Sequence, residues 1–514
     1  MSLHLQSNLC IMKKYSKMRI SLVVWMSFVY AQVSANGLVI SNVTRGTLPS
    51  SDISFTISWQ NSWYVTGVPG NHDAVWVFIK FRPCGGTGAW GHALLSTNMA
   101  DHTLSSGIAF ARPITTTDRL GGGTNHNTGA LIRRATVGTG HITNETATLR
   151  VVGANGPYTW NPNTEYDIRV FGIEMVQIPQ GAFAVGDQTS TFTLQVSSTN
   201  NLPFNISAEF PAGGYSIYDP MAGQVTVPQN FPKGYNEFYC MKYEVSQGQY
   251  ADFCNTVSPQ VFNARHIIAN NGSNRLSQYV SGGRVRSDRE DRACNWLSSN
   301  DLYTFLDWAA LRPMTELEFE KICKGTGVFP PGGYAWGSTT FVRIDTIVIG
   351  PENGTEVVVD YGANVHADIK VGGACDFNYA FVGGDGGNYT TCQFGPVGCG
   401  IFARDNTLTR EETGATFYGV MEMSGNVWEW VVPITTNTSR NYTGIWGDGM
   451  PSDATGLYDT PNWPAYSSAW PPPYPQGLRG GAWDRPINDC RVSDRSYGST
   501  SVTRQANTGG RGVR

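Results

Sequence analysis

Few residues in this chain have the type and spacing that chemistry requires. Ten cysteines stand at positions 10, 84, 240, 254, 294, 323, 375, 392, 399 and 490. They form no CxxC and no Cys/His group with zinc-ligand spacing, although Cys392 and Cys399 are near neighbours that could pair in an oxidising compartment. Cys490, in the segment AWDRPINDCRVSDR, is the thiol best placed to react. It stands alone there and reads as a half-buried framework residue. His126, His141, His266 and His366 are each isolated in polar surroundings, which suits solvated loops better than a base or a metal ligand. Glu316, Glu318 and Glu320 could supply paired carboxylates. However, Thr315 and Glu318 have the spacing of a helix capping box, and the remaining acids fit an exposed helix face. No nucleophile has an assignable partner, so the chain reads as non-enzymatic.

The elements that must carry these groups fall into two regions. Residues 36–171 contain the runs GLVISNV, DISFTISW, AVWVFIKF, ATLRVV and YDIRVFG, separated by Gly, Pro, Asn and Ser clusters. Alternation in FTISW and WVFIKF predicts strands with one buried face, and two packed sheets cover such strands economically. A β-sandwich is therefore expected over 36–171, with TDRLGGGTNHNTG as a loop. From MVQIPQGAFAVGD onward helical punctuation appears. Ser246 and Gln249 have capping-box spacing, and Tyr250, Phe253, Cys254 and Val257 then fall on one face. Leu302, Phe305, Leu306 and Ala309 do the same, and Gly325 ends the helix TELEFEKICKG. The expected class is α+β, with a second, loop-rich domain over residues 172–514.

A net charge of −4, with 15% charged residues, provides no basic field for nucleic acid or an anionic membrane. Residues 1–35 read as a signal peptide. Lys13, Lys14, Lys17 and Arg19 precede an apolar stretch from Ile20 to Ala31, and small residues suited to cleavage follow. That stretch is too short to span a bilayer. The expected location is secreted or cell surface.

The motifs MVQIPQGAF, FYCMKYEVSQGQYADFCN, LRPMTELEFEKICKG, GVMEMSGNVWEW and LRGGAWDRPINDCRVSDR, closed by GGRGVR, run in order over residues 175–514. This series resembles the formylglycine-generating enzyme, or sulfatase-modifying factor, family, and the resemblance implies an elaborated C-type-lectin fold. Catalytic members hold copper with paired cysteines just after the GGAW-like turn, because Cu(I) needs two convergent soft thiolates. Here Cys490 has no partner in that segment, and Arg485 stands near where the first thiol would be. No copper is expected. The resemblance also implies structural Ca2+, held in one site by Asn378 and the Tyr379 carbonyl. A second site would use the carbonyls of Gly425 and Val427 with the Glu429 carboxylate. Asp385 would be a further ligand.

GVMEMSGNVWEW, RGGAW, RVSDR and GGRGVR together resemble one branch in particular, the variable proteins of diversity-generating retroelements, in which residues between constant turns are randomised. Randomised AAC-type codons cannot yield Lys, Glu, Gln, Met or Trp. Only Gln505 of these types occurs between Asp484 and Arg514. Gly480, Gly481, Gly509, Gly510 and Gly512 would supply turns, and Arg479, Arg491, Arg495, Arg504 and Arg511 would pin the loops. The outward set is then Trp483, Asp484, Arg485, Ile487, Asn488, Asp489, Tyr497, Ser499, Thr500, Gln505 and Asn507, a mixture of aromatic, polar and charged groups typical of adaptable binding surfaces. The expectation is an exported ligand-binding or adhesion protein whose partner is a protein or glycan. A formylglycine-generating oxidase with unusual thiols and a structural component of a surface assembly are the alternatives.

Overall fold

A computed structural model describes residues 37–116, 127–267, 276–341, 348–349, 357–358, 395–403, 410–469 and 471–514. The expected signal peptide, Asn378, Tyr379, Asp385, His126, His366, Cys375, Cys392 and most of TDRLGGGTNHNTG lie outside these residues. The fold is mainly strand. The first strands are β1 (Val39–Arg45), β2 (Asp52–Tyr64), β3 (Asp73–Pro83), β4 (Gly91–Leu95), β5 (Gly138–Asn155) and β6 (Tyr166–Ile178). The later elements are β7 (Phe238–Met241), α1 (Gln247–Cys254), α2 (Ser299–Trp308), β8 (Arg312–Pro313), α3 (Glu316–Lys324), β9 (Trp428–Val431), β10 (Gly477–Arg479), β11 (Thr508–Gly509) and β12 (Gly512–Val513). Among the described residues, no helix is long and apolar enough to cross a membrane.

One path of hydrogen-bonded strands runs β1-β2-β5-β4-β3-β6-β7-β12-β8, while β10, β9 and β11 form a separate small sheet. In β2 the apolar alternation appears as expected. Ile53, Phe55, Ile57 and Trp59 are buried and their neighbours are half-exposed. They share a core with Leu149 and Val151 of β5, with Val75, Val77 and Ile79 of β3, and with Ile168 and Val170 of β6.

β3 departs from its expected pattern of one buried face. Nine consecutive residues from Asp73 to Phe81 are buried, because the strand is covered on both sides. Its second face, Ala74, Trp76 and Phe78, packs into the core of the C-terminal region. Phe78 meets Trp308 edge-on at 5.2 Å, and the Trp76 indole N–H donates to the Ala309 carbonyl at 2.8 Å. β6 also serves both regions: it pairs with β3 from Tyr166 to Val176 and with β7 from Met175 to Ile178. The expected boundary between residues 171 and 172 thus falls inside this strand.

The helices begin where local sequence directs. Ser246, Ser298 and Thr315 each accept the backbone N–H three residues on, and each donates its own N–H back to the side chain of Gln249, Asp301 or Glu318. Such a box satisfies donors that a helix start otherwise leaves bare. Gly325, at φ 70°, stops α3.

Candidate binding face

The closing segment is positioned by α3, whose acids are not on an exposed face as expected. Glu316, Glu318 and Glu320 are all fully buried. The reason is that α3 lies beneath the C-terminal loops, and each carboxylate there meets a cation. Glu318 holds Arg312 through two bonds of 2.6 and 2.8 Å while completing its capping box. Glu316 and Glu320, one turn apart, are bridged by Arg479 at 3.4 and 2.6 Å, and that guanidinium also donates to the Val492 carbonyl. Burial alone would raise the Glu320 pKa, but Lys324 at 2.6 Å and Arg479 hold it down at about 2.

Arg495 is the most heavily bonded framework residue. It donates to Glu316 at 2.7 and 3.2 Å, to both Asp219 oxygens at 2.8 and 3.0 Å, to the Phe192 carbonyl and to Thr435. Burial would push Asp219 up, but the Arg495 pair holds it below its usual range. Arg504 makes a bidentate pair with Asp301 at 2.7 Å on each arm. Arg511 engages both oxygens of Glu429 at 2.8 and 3.0 Å and the carbonyls of Met241 and Lys242. Planar guanidinium groups suit such fixed, multiple acceptors. Sequence reading missed two of these anchors. Asp301 was findable from its spacing to Ser298, whereas Asp219, 276 residues from Arg495, carried no local signal.

Between these pins, Asp484, Arg485, Ile487, Asn488, Asp489, Tyr497, Ser499, Thr500 and Gln505 are exposed or half-buried. Trp483 and Asn507 are corrections to the expected outward set, being only 7% and 6% exposed. The Trp483 indole donates inward to the Ala506 carbonyl at 3.2 Å, and the Asn507 amide supports both Asp484 oxygens at 2.8 and 3.0 Å. They shape the face from beneath. A stack rises from the core: buried Trp428, the Tyr497 ring at 5.1 Å, and the Arg485 guanidinium 4.7 Å above that ring. Arg485 also donates to the Tyr497 hydroxyl and to Asp489 at 3.2 Å. Tyr474 donates its N–H to Ser499 Oγ at 2.6 Å, and the Thr500 N–H donates to the Gln476 carbonyl. The result is a polar surface in which a guanidinium caps an aromatic ring beside two carboxylates.

Cys490 lies below this surface, fully buried rather than half-buried as expected. It is enclosed by Tyr334 and Trp336 with Ile487 beside them, and its carbonyl accepts from Ser424. Burial pushes its thiol pKa well up, which disfavours the reactive thiolate. The Glu429 region contains two more buried acids. Glu244 accepts the Val427 N–H at 3.2 Å and the Asn426 amide, and Glu422 accepts the Gly400 N–H at 2.6 Å. Burial raises the pKa of all three, Glu422 to about 8. Gly425 donates its N–H to the Gly480 carbonyl at 2.8 Å. Among the described residues, one further carboxylate set, Asp307, Asp448 and Asp459, brings its oxygens within 4.8 Å of one another. Asp307 there accepts the N–H groups of Asp448 and Asp459 and the Thr460 hydroxyl, which ties that loop to α2.

A family model described as sulfatase-modifying factor enzyme 1-like domain matches residues 165–514. No curated protein matches the chain. Among solved structures, Treponema denticola variable protein 1 overlays with 14% identity and a TM-score of 0.29, covering 67% of this chain and 95% of that one. A group B streptococcus pilus 2b backbone protein overlays with 15% identity and a TM-score of 0.11, covering 39% and 82%. Neither overlay is close enough to bear on function.

Proposed function

We propose that this chain, which belongs to the family of sulfatase-modifying factor enzyme 1-like domains, is a non-catalytic binding protein rather than an oxidase. One observation carries the reading: Arg479, Arg495 and Arg511 are fully buried and multiply bonded, while most residues between them reach the surface. Side chains on a backbone pinned in this way can change without moving the loop. The sealed position of Cys490 supports the same reading, since a copper oxidase needs accessible paired thiolates. In this proposal the C-terminal region adopts a C-type-lectin fold and varies as the variable proteins of diversity-generating retroelements do. The N-terminal strands form a sandwich that acts as a spacer, the protein is exported to the cell surface or beyond, and the ligand is a protein or glycan.

The expected Ca2+ set of Gly425, Val427 and Glu429 does not fit the ion as the resemblance implies. Arg511 already engages both Glu429 oxygens, so the one carboxylate of that set is paired with a guanidinium instead of being left for a cation that takes six to eight oxygens. No part of the binding function is routed through Ca2+.

The test pairs two assays on the full chain. Incubation with copper and a cysteine-containing sulfatase peptide is expected to yield no aldehyde. On immobilised glycan and cell-surface protein panels, Arg485→Ala and Tyr497→Ala are expected to weaken retention roughly tenfold or more in protein that remains folded at the assay temperature. Copper-dependent turnover abolished by Cys490→Ser would overturn the proposal.

A further inference from the structure

Three neighbouring strands bring one amine and two carboxyls together at the seam between the two regions. Asp73 opens β3, Glu174 lies on β6, and Lys242 directly follows β7, its N–H donating to the Glu174 carbonyl at 2.8 Å. Lys242 Nζ stands 3.3 Å from Asp73 Oδ2 and 3.2 Å from Glu174 Oε2. The three side chains are 2%, 0% and 2% exposed. The Asn61 carbonyl accepts a further Nζ proton at 3.1 Å, and the rings of Trp63 and Tyr243 lie 4.8 and 5.5 Å from Nζ.

The two carboxyls are not equivalent. Asp73 sits in a cradle of donors: Ser62 Oγ at 2.9 Å and the Trp63 N–H at 3.0 Å on Oδ1, and the Trp59 indole at 3.1 Å on Oδ2. Glu174 Oε1 is buried and makes no hydrogen bond among the described residues. A closed site with one ammonium and two carboxylates would bury a net negative charge, which low-dielectric surroundings oppose strongly. One carboxyl therefore retains a proton. Burial raises both, Glu174 to about 7. Burial works against the Lys242 ammonium, but the two carboxyls outweigh it and hold its pKa above the usual value.

The geometry points to an intramolecular amide bond between Lys242 Nζ and Asp73 Cγ, formed by the folded chain itself with Glu174 carrying the protons. The proton that Glu174 holds at rest passes to Asp73 Oδ2, the ammonium then passes one proton to the Glu174 carboxylate, and the neutral amine attacks Cγ of protonated Asp73. Negative charge gathers on Oδ1, where the Ser62 and Trp63 donors already point. Glu174 gives its proton to the departing Oδ2 hydroxyl and takes one from the nitrogen. The C–Oδ2 bond breaks, one water leaves, and Glu174 ends protonated. Charge and atoms balance without oxidant, metal or nucleotide. The bond would span β6 and join β3 covalently to the segment after β7, fastening the N-terminal strands to the region that carries the binding face.

Mass spectrometry of the purified full chain decides the matter. Denatured wild-type protein is expected to be one water lighter than its sequence and disulfides require, and digestion should release a branched peptide containing Asp73 and Lys242. Lys242→Arg should abolish that peptide, and Glu174→Gln should slow its formation roughly 100-fold or more. Full sequence mass with the two peptides recovered separately would overturn the proposal, whether or not the variants fold. A Lys242–Glu174 link would overturn the assignment of the acceptor, and undiminished linkage in Glu174→Gln would overturn the role of Glu174.

Discussion

Replacing Glu316 with Gln tests whether the C-terminal loops and their support are energetically separate. Glu316 accepts two bonds from Arg495, one from Arg479 and the Ile434 N–H at 2.7 Å, all without exposure to water. Gln offers one acceptor oxygen and turns an NH2 toward guanidinium groups, leaving a buried cation underpaired. Breaking one side of a buried ion pair costs about 3–5 kcal/mol. At about 2 °C per kcal/mol for a large domain, the unfolding midpoint should fall by roughly 6–10 °C. Arg485→Ala, by contrast, removes partly exposed contacts, a pair with Asp489 worth about 0–1 kcal/mol and a stack on Tyr497 worth about 0.5–1 kcal/mol. Urea denaturation of both variants, followed by tryptophan fluorescence, measures the difference directly. The reasoning fails if Glu316→Gln costs under about 1 kcal/mol, or if Arg485→Ala costs as much as Glu316→Gln.

Two further outcomes follow from the same packing. Gly481 has φ 75°, and a Cβ there would lie 2.4 Å from Cys490 Sγ and 2.9 Å from its Cα and N. Gly481→Ala should therefore destabilise by more than about 2 kcal/mol in urea titration. The control Gly67→Ala, which meets nothing within 4 Å, should change stability by less than about 1 kcal/mol. Glu320 titrates near 2 when folded, against about 4.3 unfolded. Its depressed pKa stabilises the fold above the unfolded value and loses that contribution, on the order of 3 kcal/mol, as pH falls from about 4.3 toward 2. Stability curves of Glu320→Gln and wild type should therefore converge in that window, and parallel curves would refute the assignment.

Local sequence determined the starts of α1 and α3, the apolar alternation of β2 and the isolation of Cys490 within its segment. Those features depend on bonds three or four residues apart, or on which side chains are simply present. Tertiary structure decided the rest. WVFIKF became a strand buried on both faces only because α2 covers the side that the N-terminal core does not. Glu316 and Glu320 carry the pattern of a solvated helix face, and they became anchors because residues 479–495 fold over them. Trp483 and Asn507 turned inward, where the Ala506 carbonyl and Asp484 needed partners. Lys242 meets Asp73 and Glu174 across separations of 169 and 68 residues. Whether a charge is solvated or buried against a partner depends on which distant segment closes over it, and no local window of sequence contains that segment.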